Sequence, residues 1–317
     1  HTDNMGIQAL SRVSRAEGPL GTYELGFQLG PRLNAGGRVG EASLGVRLLS
    51  TQSSEEATGF ASRLDDLNTE RRAIEAQVLA DAMHEAEAKI AAHNAAPPFF
   101  LCARVGWHPG VIGIVAGRIK DKFHRPSFVI ALDENGNGKG SARSISGIDV
   151  GQLVAGAVDR GIIEAGGGHA MAAGLTLRGD QIGDFEAYLT EKLGELSLDG
   201  PRDLWLDASL TPAGANRGLL ELIHNAGPFG AGNPEPRLVF PSVWVVQSDI
   251  VGDGHVRCVL AGREGGRLKA IAFSSVPEPV RALLTNPPSH CHIAGFLRAD
   301  NWNGRQDVQL MVHDAAY

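Results

Sequence analysis

Between Ser53 and Pro97 the chain carries a stripe of apolar residues, Ala57, Phe60, Ala61, Leu64, Leu67, Ile74 and Val78, at spacings of three and four. That period belongs to a helix with one buried side. The run Ser53-Ser54-Glu55-Glu56 opens it as a capping box, and Pro97-Pro98 stop it. A helix of about forty residues spans roughly 60 Å. It either separates two lobes across a cleft or lies packed in a core.

At 317 residues the chain is long enough for two or three domains. The 43% hydrophobic and 21% charged residues are those of an ordinary soluble protein, and no repeat or low-complexity tract interrupts them. No apolar run approaches the roughly 18 residues that span a bilayer, so no membrane association is expected. The chain opens on His1 with no signal-peptide pattern and no initiator methionine, and reads as a trimmed cytoplasmic protein. Cys102, Cys258 and Cys291 are far apart and odd in number, which points to reduced thiols rather than a disulfide framework or zinc site.

The net charge of −7 speaks against a nucleic-acid binder, but its distribution reverses that reading. Residues 53–93 hold nine acids against four Lys or Arg, whereas residues 97–178 hold nine Lys or Arg against six acids. The acidity sits mainly on the long helix.

Upstream of that helix, residues 1–52 have little periodicity and end in Leu29-Gly30-Pro31-Arg32-Leu33-Asn34-Ala35-Gly36-Gly37-Arg38, which reads as a structured loop. Downstream, residues 97–197 alternate strands and helices: strands at 99–105, 127–132 and through Ser141 and Arg143, helices at 111–123, from Asp149, and at 180–196. This is an α/β layout with a mixed or parallel sheet and flanking helices. After the linker 197–201, residues 201–317 show five or six short strands and one helix near Val280 to Leu284. That texture suits a small closed barrel of the OB type, with a β-sandwich fitting nearly as well.

Two motifs in the α/β stretch carry chemistry. Gly166-Gly167-Gly168-His169 places three glycines, which allow backbone N–H groups to converge, before a histidine donor. Lys139-Gly140-Ser141-Ala142-Arg143 puts Ser141 and Arg143 two apart, on one face if they lie on a strand, where hydroxyl and guanidinium suit phosphate oxygens. The bland readings are a tight packing corner and a surface strand. The loop before Lys139 is not a Walker loop, because Asp133 stands where its first glycine belongs and Gly140 follows the lysine. His108 and His124 lack partners at ligand spacing, so no metal site within this chain is expected.

With these residues in view, the chain resembles the C-terminal portion of the RecJ family of 5′→3′ single-strand-specific exonucleases, within the DHH phosphoesterase superfamily. Gly30 to Arg38 looks like the segment joining the catalytic lobe to the connecting helix, and Leu67-Asn68-Thr69-Glu70-Arg71 like that helix's signature. Gly106-Trp107-His108-Pro109-Gly110-Val111, Gly140 to Ser144 and Gly167 to Gly174 resemble the DHH-associated domain, and Pro228 to Pro236 the OB domain.

The resemblance implies a metal-dependent exonuclease of DNA repair and recombination, with single-stranded DNA as substrate and a helicase or single-strand-binding protein as possible partner. The aspartates and Asp-His-His triplet that hold Mn or Mg in that family do not occur here, so this chain alone is expected to bind no metal and to be inactive. By the same resemblance Ser141, Arg143, Gly166, Gly167, Gly168 and His169 bind phosphates next to the cleavage position, and Arg32 and Arg38 reach backbone phosphates. Trp107 stacks on a base and His108 donates to a phosphate, or the pair is a packed helix cap.

In the barrel, Phe229, Trp244, Arg257, Lys269, Arg298, Trp302 and Arg305 are candidates for a single-strand groove, each weighed against an ordinary core or surface role. Ten Lys or Arg against eleven acids there predict modest affinity. The other function classes left open are a stand-alone single-strand-binding module without enzymatic activity and a DHH-type oligonucleotide phosphatase.

Overall fold

A computed structural model describes residues 3–16, 19–93, 95–195, 203–230, 232–300 and 307–317. The chain divides into two compact units, His1–Gly200 and Pro201–Tyr317.

The first unit begins with helices rather than a loop. Helices α1 (Met5–Ser14), α2 (Gly30–Val39) and α3 (Ser43–Ser50) pack on the first half of α4 (Ser54–His93), and α2 is entered through a π-type turn at Glu24–Leu29. The loop expected over Gly30 to Arg38 is therefore α-helical. Pro31 sits in its first turn, where a missing N–H costs nothing. Gly36 is there for contact: a Cβ on it would lie 2.9 Å from the Glu41 carbonyl oxygen and 3.2 Å from Leu64 Cδ2.

Ser53 caps α4 by accepting the Glu56 N–H at 3.3 Å, while the Glu56 carboxylate takes the Thr51 hydroxyl at 2.6 Å. The apolar stripe of α4 serves two cores. Ala57, Ala61, Leu64 and Leu67 are buried with Leu10, Leu29, Leu44 and Leu48. Farther along the helix, Val78, Ala82 and Ala86 are buried with Phe100, Cys102, Val115 and Ile119.

That second core is one side of a five-stranded mixed sheet, order β1-β2-β3-β5-β4. β1 (Phe100–Val105) and β2 (Ser127–Leu132) are parallel through α5 (Ile112–Phe123). β3 (Asn137–Arg143), β4 (Ala165–His169) and β5 (Ala172–Arg178) join antiparallel. Both faces of β2 are buried, one under α4 and α5 and the other under α6 (Val150–Asp159) and α7 (Ile182–Leu193). Phe128 anchors the second side edge-on to Phe99 and Phe185, at 6.3 and 5.6 Å between ring centroids.

The second unit is a closed barrel. β7 (Leu238–Val251) pairs antiparallel with β8 (His255–Ala261) and β8 with β9 (Arg267–Ala272). β9 runs parallel to β11 (Asp307–Ala316), β11 antiparallel to β10 (Cys291–Asp300), and β10 returns to β7. That last pairing separates a barrel from a sandwich. It is possible because β7, at 14 residues, gives its first half to β10 and its second to β8. Helix α9 (Glu278–Thr285), between β9 and β10, inserts Val280 and Leu284 into the barrel core. β6 (Ala208–Ser209) and α8 (Arg217–Asn225) precede the barrel strands.

Phe128 is fully buried. Phe128→Ala should cost about 3–5 kcal/mol of stability, read as a lowered urea midpoint. A loss below about 1 kcal/mol would contradict the packing described.

Candidate functional site

The register of β3, β5 and β4 lines their residues up in rows. Lys139 faces Thr176 and Thr176 faces Ala165; Ser141 faces Gly174 and Gly174 faces Gly167; Arg143 faces Ala172 and Ala172 faces His169. Paired residues point to one face of a sheet, and alternate residues along a strand share it. All nine therefore lie on the face that α5 covers over β2 and leaves open over β4. His169 stands two strands from Arg143, roughly 10 Å away.

The glycine triplet is thus an edge strand, not a loop that folds its N–H groups around one point. Its glycines have different reasons. A Cβ on Gly166 would lie 2.4 Å from Val154 Cγ1 of α6, and one on Gly168 would lie 2.3 Å from the Ala172 carbonyl oxygen. Those two are small because the fold is tight there. Gly167 and Gly174 have nothing within 4 Å of a built Cβ, and neither has the left-handed backbone that favours glycine. Packing does not explain them; an open floor does.

Beside that floor is a cavity of about 470 Å³, lined by Arg38, Gly110, Gly113, Lys139, Ser141, Arg143, Gly174 and Thr176. Arg143 Nη1 donates to Ser141 Oγ at 2.9 Å and to the Ala142 carbonyl at 2.8 Å. Gly113, in the first turn of α5, leaves room for that fork: a Cβ there would lie 2.8 Å from Arg143 Nη2 and 3.0 Å from Ser141 Oγ. Arg38 enters from α2, its Nη1 donating to the Gly110 carbonyl at 3.1 Å. Lys139 Nζ donates to Thr176 Oγ1 at 3.0 Å.

Partial burial, and then the charge of Arg38, push the Arg143 guanidinium below its ordinary pKa. Among the described residues no carboxylate forms an ion pair with Arg38, Lys139 or Arg143. Arg38 and Arg143 repel each other with no ion-paired carboxylate beside them, and an anion in the cavity relieves that repulsion. Lys139, Gly113, Gly174 and Thr176 were not among the sequence candidates; the alternation of Lys139, Ser141 and Arg143 was the available signal for the first.

Other candidates are engaged elsewhere. Arg32 pairs with Asp65 at 2.6 Å and donates to the Gln28 carbonyl at 2.7 Å, tying α2 to α4. Trp107 is buried, with its Nε1 donating to Asp81 of α4 at 3.3 Å and Arg104 over its ring, a packed position at the approach to α5. That hydrogen bond is the main reason the Asp81 carboxyl lies below its ordinary pKa. His108 Nδ1 accepts the Gly110 N–H at 3.0 Å and so fixes the turn into α5. Burial pushes the Cys102 and Cys258 thiols up to about 12, which keeps both protonated and inert.

In the barrel, Arg257 and Lys269 line a groove of about 510 Å³ over β8 and β9, together with Val251, Val259 and Ile271. Arg257 lies 3.6 Å from Asp249, and Lys269 lies 2.9 and 3.1 Å from Asp300 and Asp307. Arg298 is paired with Glu235 through both terminal nitrogens. Trp244 packs against His290 at 5.6 Å, and Phe229 is half-buried. Trp302 and Arg305 lie outside the described residues.

Comparison with known proteins gives two domains in series: residues 98–195 match the DHHA1 domain, and residues 206–314 match the RecJ OB domain. The single-stranded-DNA-specific exonuclease RecJ of Dickeya dadantii (strain 3937) is 36% identical over 97% of this chain and 54% of its own length. RecJ of Escherichia coli (strain K12) is 36% identical with the same two coverages. The chain thus spans about half the length of these curated relatives. The crystal structure of RecJ in complex with Mn²⁺ from Thermus thermophilus matches with a TM-score of 0.80 at 25% identity, over 100% of this chain and 44% of that one. Over nearly its whole length the chain thus matches a C-terminal portion of RecJ proteins, a DHHA1 domain followed by a RecJ OB domain.

Proposed function

We propose that this chain is the strand-binding portion of a RecJ-type single-stranded-DNA exonuclease acting in DNA repair and recombination. The observation that carries the reading is the cavity lined by Arg38, Lys139 and Arg143, none of them ion-paired to a carboxylate among the described residues, beside a floor of glycine. A phosphodiester backbone fits that arrangement. The Arg143 fork, held by Ser141, takes one phosphate; Lys139 and Arg38 take its neighbour or share it; Gly174 and Gly167 let the sugar–phosphate chain lie against the sheet; exposed His169 donates at the far row.

Mn or Mg is what the family resemblance implies for hydrolysis. Among the described residues no cluster of three or more His, Cys, Asp or Glu is placed to hold a metal ion, so these residues do not fit that group and no hydrolytic step is assigned to them. Their task is to grip and orient the strand. A helicase that supplies single strands, or a protein that coats them, is the class of partner this reading implies, and the cytoplasm is its place. No helix among the described residues is long and apolar enough to cross a membrane. The phosphatase reading is weaker, because a small substrate leaves the RecJ OB domain without a task.

Two outcomes follow. Arg143→Ala should weaken binding of a 5′-phosphorylated oligothymidylate about ten- to hundredfold and reduce the slope of log K against log salt by about one. Titration of anisotropy at several salt concentrations reads both, and an unchanged slope would remove the phosphate from the cavity. The glycines should separate stability from binding. Gly166→Ala should lose about 1–3 kcal/mol by overpacking against Val154. Gly167→Leu should keep the urea midpoint of the unmodified chain yet bind the oligonucleotide more weakly. Equal stability losses at both positions would return the triplet to a purely packing role.

A further inference from the structure

Strand-binding OB barrels commonly use the face over their second and third strands, here β8 and β9. In this barrel that groove is a poor seat for a polyanion. Both of its cations are already matched by carboxylates: Arg257 faces Asp249, and Lys269 is held between Asp300, which also lines the groove, and Asp307 beside it. Among its described lining residues there is no aromatic ring.

The outer side of β10 and β11 has the opposite character. Phe296 and His313 meet edge-on, with ring centroids 6.0 Å apart at 77°. The Arg237 guanidinium lies over Phe296, 5.5 Å from the ring centroid, and Nη1 donates to the Trp205 carbonyl at 3.0 Å. Among the described residues Arg237 has no carboxylate ion-pair partner, and its Nε is buried without a hydrogen bond. The nearby carboxylates face backbone: Asp207 accepts the Arg237 N–H at 2.7 Å, and Asp314 accepts the Ala315 N–H at 2.8 Å. Trp205, beside this cluster, is 83% exposed, and its ring contacts no other aromatic among the described residues.

We propose that the barrel holds single-stranded DNA on the Trp205–Arg237–Phe296 surface rather than in the β8–β9 groove. Bases stack on Trp205 and against the Arg237–Phe296 pair, and the guanidinium edge meets a phosphate. Stacking works on every base and phosphate contact ignores sequence, which suits a single-strand enzyme indifferent to sequence. Burial and the Arg237 charge push the His313 imidazole below its ordinary pKa, so near neutral pH it stands edge-on beside Phe296 without adding charge.

The inference rests on the strand-binding reading above, and one experiment separates the two. Binding of a labelled oligothymidylate to the full chain is compared for the unmodified protein, Trp205→Ala, Trp205→Phe, Arg237→Gln, the pair Arg257→Gln with Lys269→Gln, and Arg143→Ala. Far-UV circular dichroism checks that each variant folds. The proposal expects Trp205→Ala and Arg237→Gln each to weaken binding about tenfold, Trp205→Phe to restore most of it, and the groove pair to change it less than about twofold. It also expects the oligonucleotide to quench tryptophan fluorescence in the unmodified chain and to quench it less in Trp205→Phe.

If Trp205→Ala and Arg237→Gln bind normally while Arg143→Ala fails, the surface proposal falls, the strand-binding reading stands, and the patch serves a protein partner. A loss confined to the groove pair overturns the proposal in favour of β8–β9. Absence of any oligonucleotide binding by the unmodified chain overturns both readings.

Discussion

Ser141 faces Gly174, and Gly174 faces Gly167, because β5 is hydrogen-bonded between β3 and β4. That register is the constraint on which the site depends. A slip of one residue would turn Lys139, Ser141 and Arg143 into the core beside Phe128 and bring Gly140 and Ala142 to the surface. Such a slip is strongly opposed. Ala142, Ala173, Leu175 and Leu177 are buried against α6 and α7, and Gly140 has no room for a side chain, since a Cβ would lie 2.6 Å from Leu175 Cγ. Core packing on one face of the sheet thus positions the cations on the other.

The same economy runs through the rest of the first unit. α4 carries one apolar stripe but two cores, and between them Arg71 and Glu75 form a nearly buried ion pair at 2.5 Å, with Arg71 also donating to Asn68 at 2.7 Å. α2 reaches the sheet through Arg38, whose side chain and backbone bracket Gly110: Nη1 donates to the Gly110 carbonyl, and a Cβ on Gly110 would lie 2.1 Å from the Arg38 carbonyl oxygen. The cavity is therefore assembled from four segments far apart in sequence: α2, the start of α5, β3 and β5. In the barrel, closure of β10 on β7 leaves two outer faces of unlike chemistry, one rich in carboxylates and one aromatic and cationic.

What was legible in the residues was the local part. The stripe and the capping serine define α4 to within a few residues, because helical period and end chemistry are written in neighbours. The spacing of Ser141 and Arg143 puts both on one face of a strand whatever its partners, whereas Lys139, on the same alternation, is not among the sequence candidates. What depended on distant residues was not legible. Gly30 to Arg38 reads as a loop from its glycines and proline, yet Gly36 is small because Leu64 of α4 packs on it. Trp107 reads equally as cap or platform until Asp81, 26 residues earlier, takes its indole N–H. The glycine triplet is visible in sequence, but that Gly166 and Gly168 serve packing while Gly167 serves an open floor follows only from which face each occupies. Barrel and sandwich share the same strand pattern, and only the length and double pairing of β7 separates them.

The proposed seat of the DNA single strand is the open face of β3, β5 and β4. Hydrogen–deuterium exchange of the full chain with and without oligothymidylate tests it most directly, because β4 is an edge strand whose five residues are all exposed. A strand bound there slows exchange in residues 165–176, while the amides of β2, buried in both states, exchange unchanged. Equal exchange of residues 165–176 with and without a saturating oligonucleotide would contradict it.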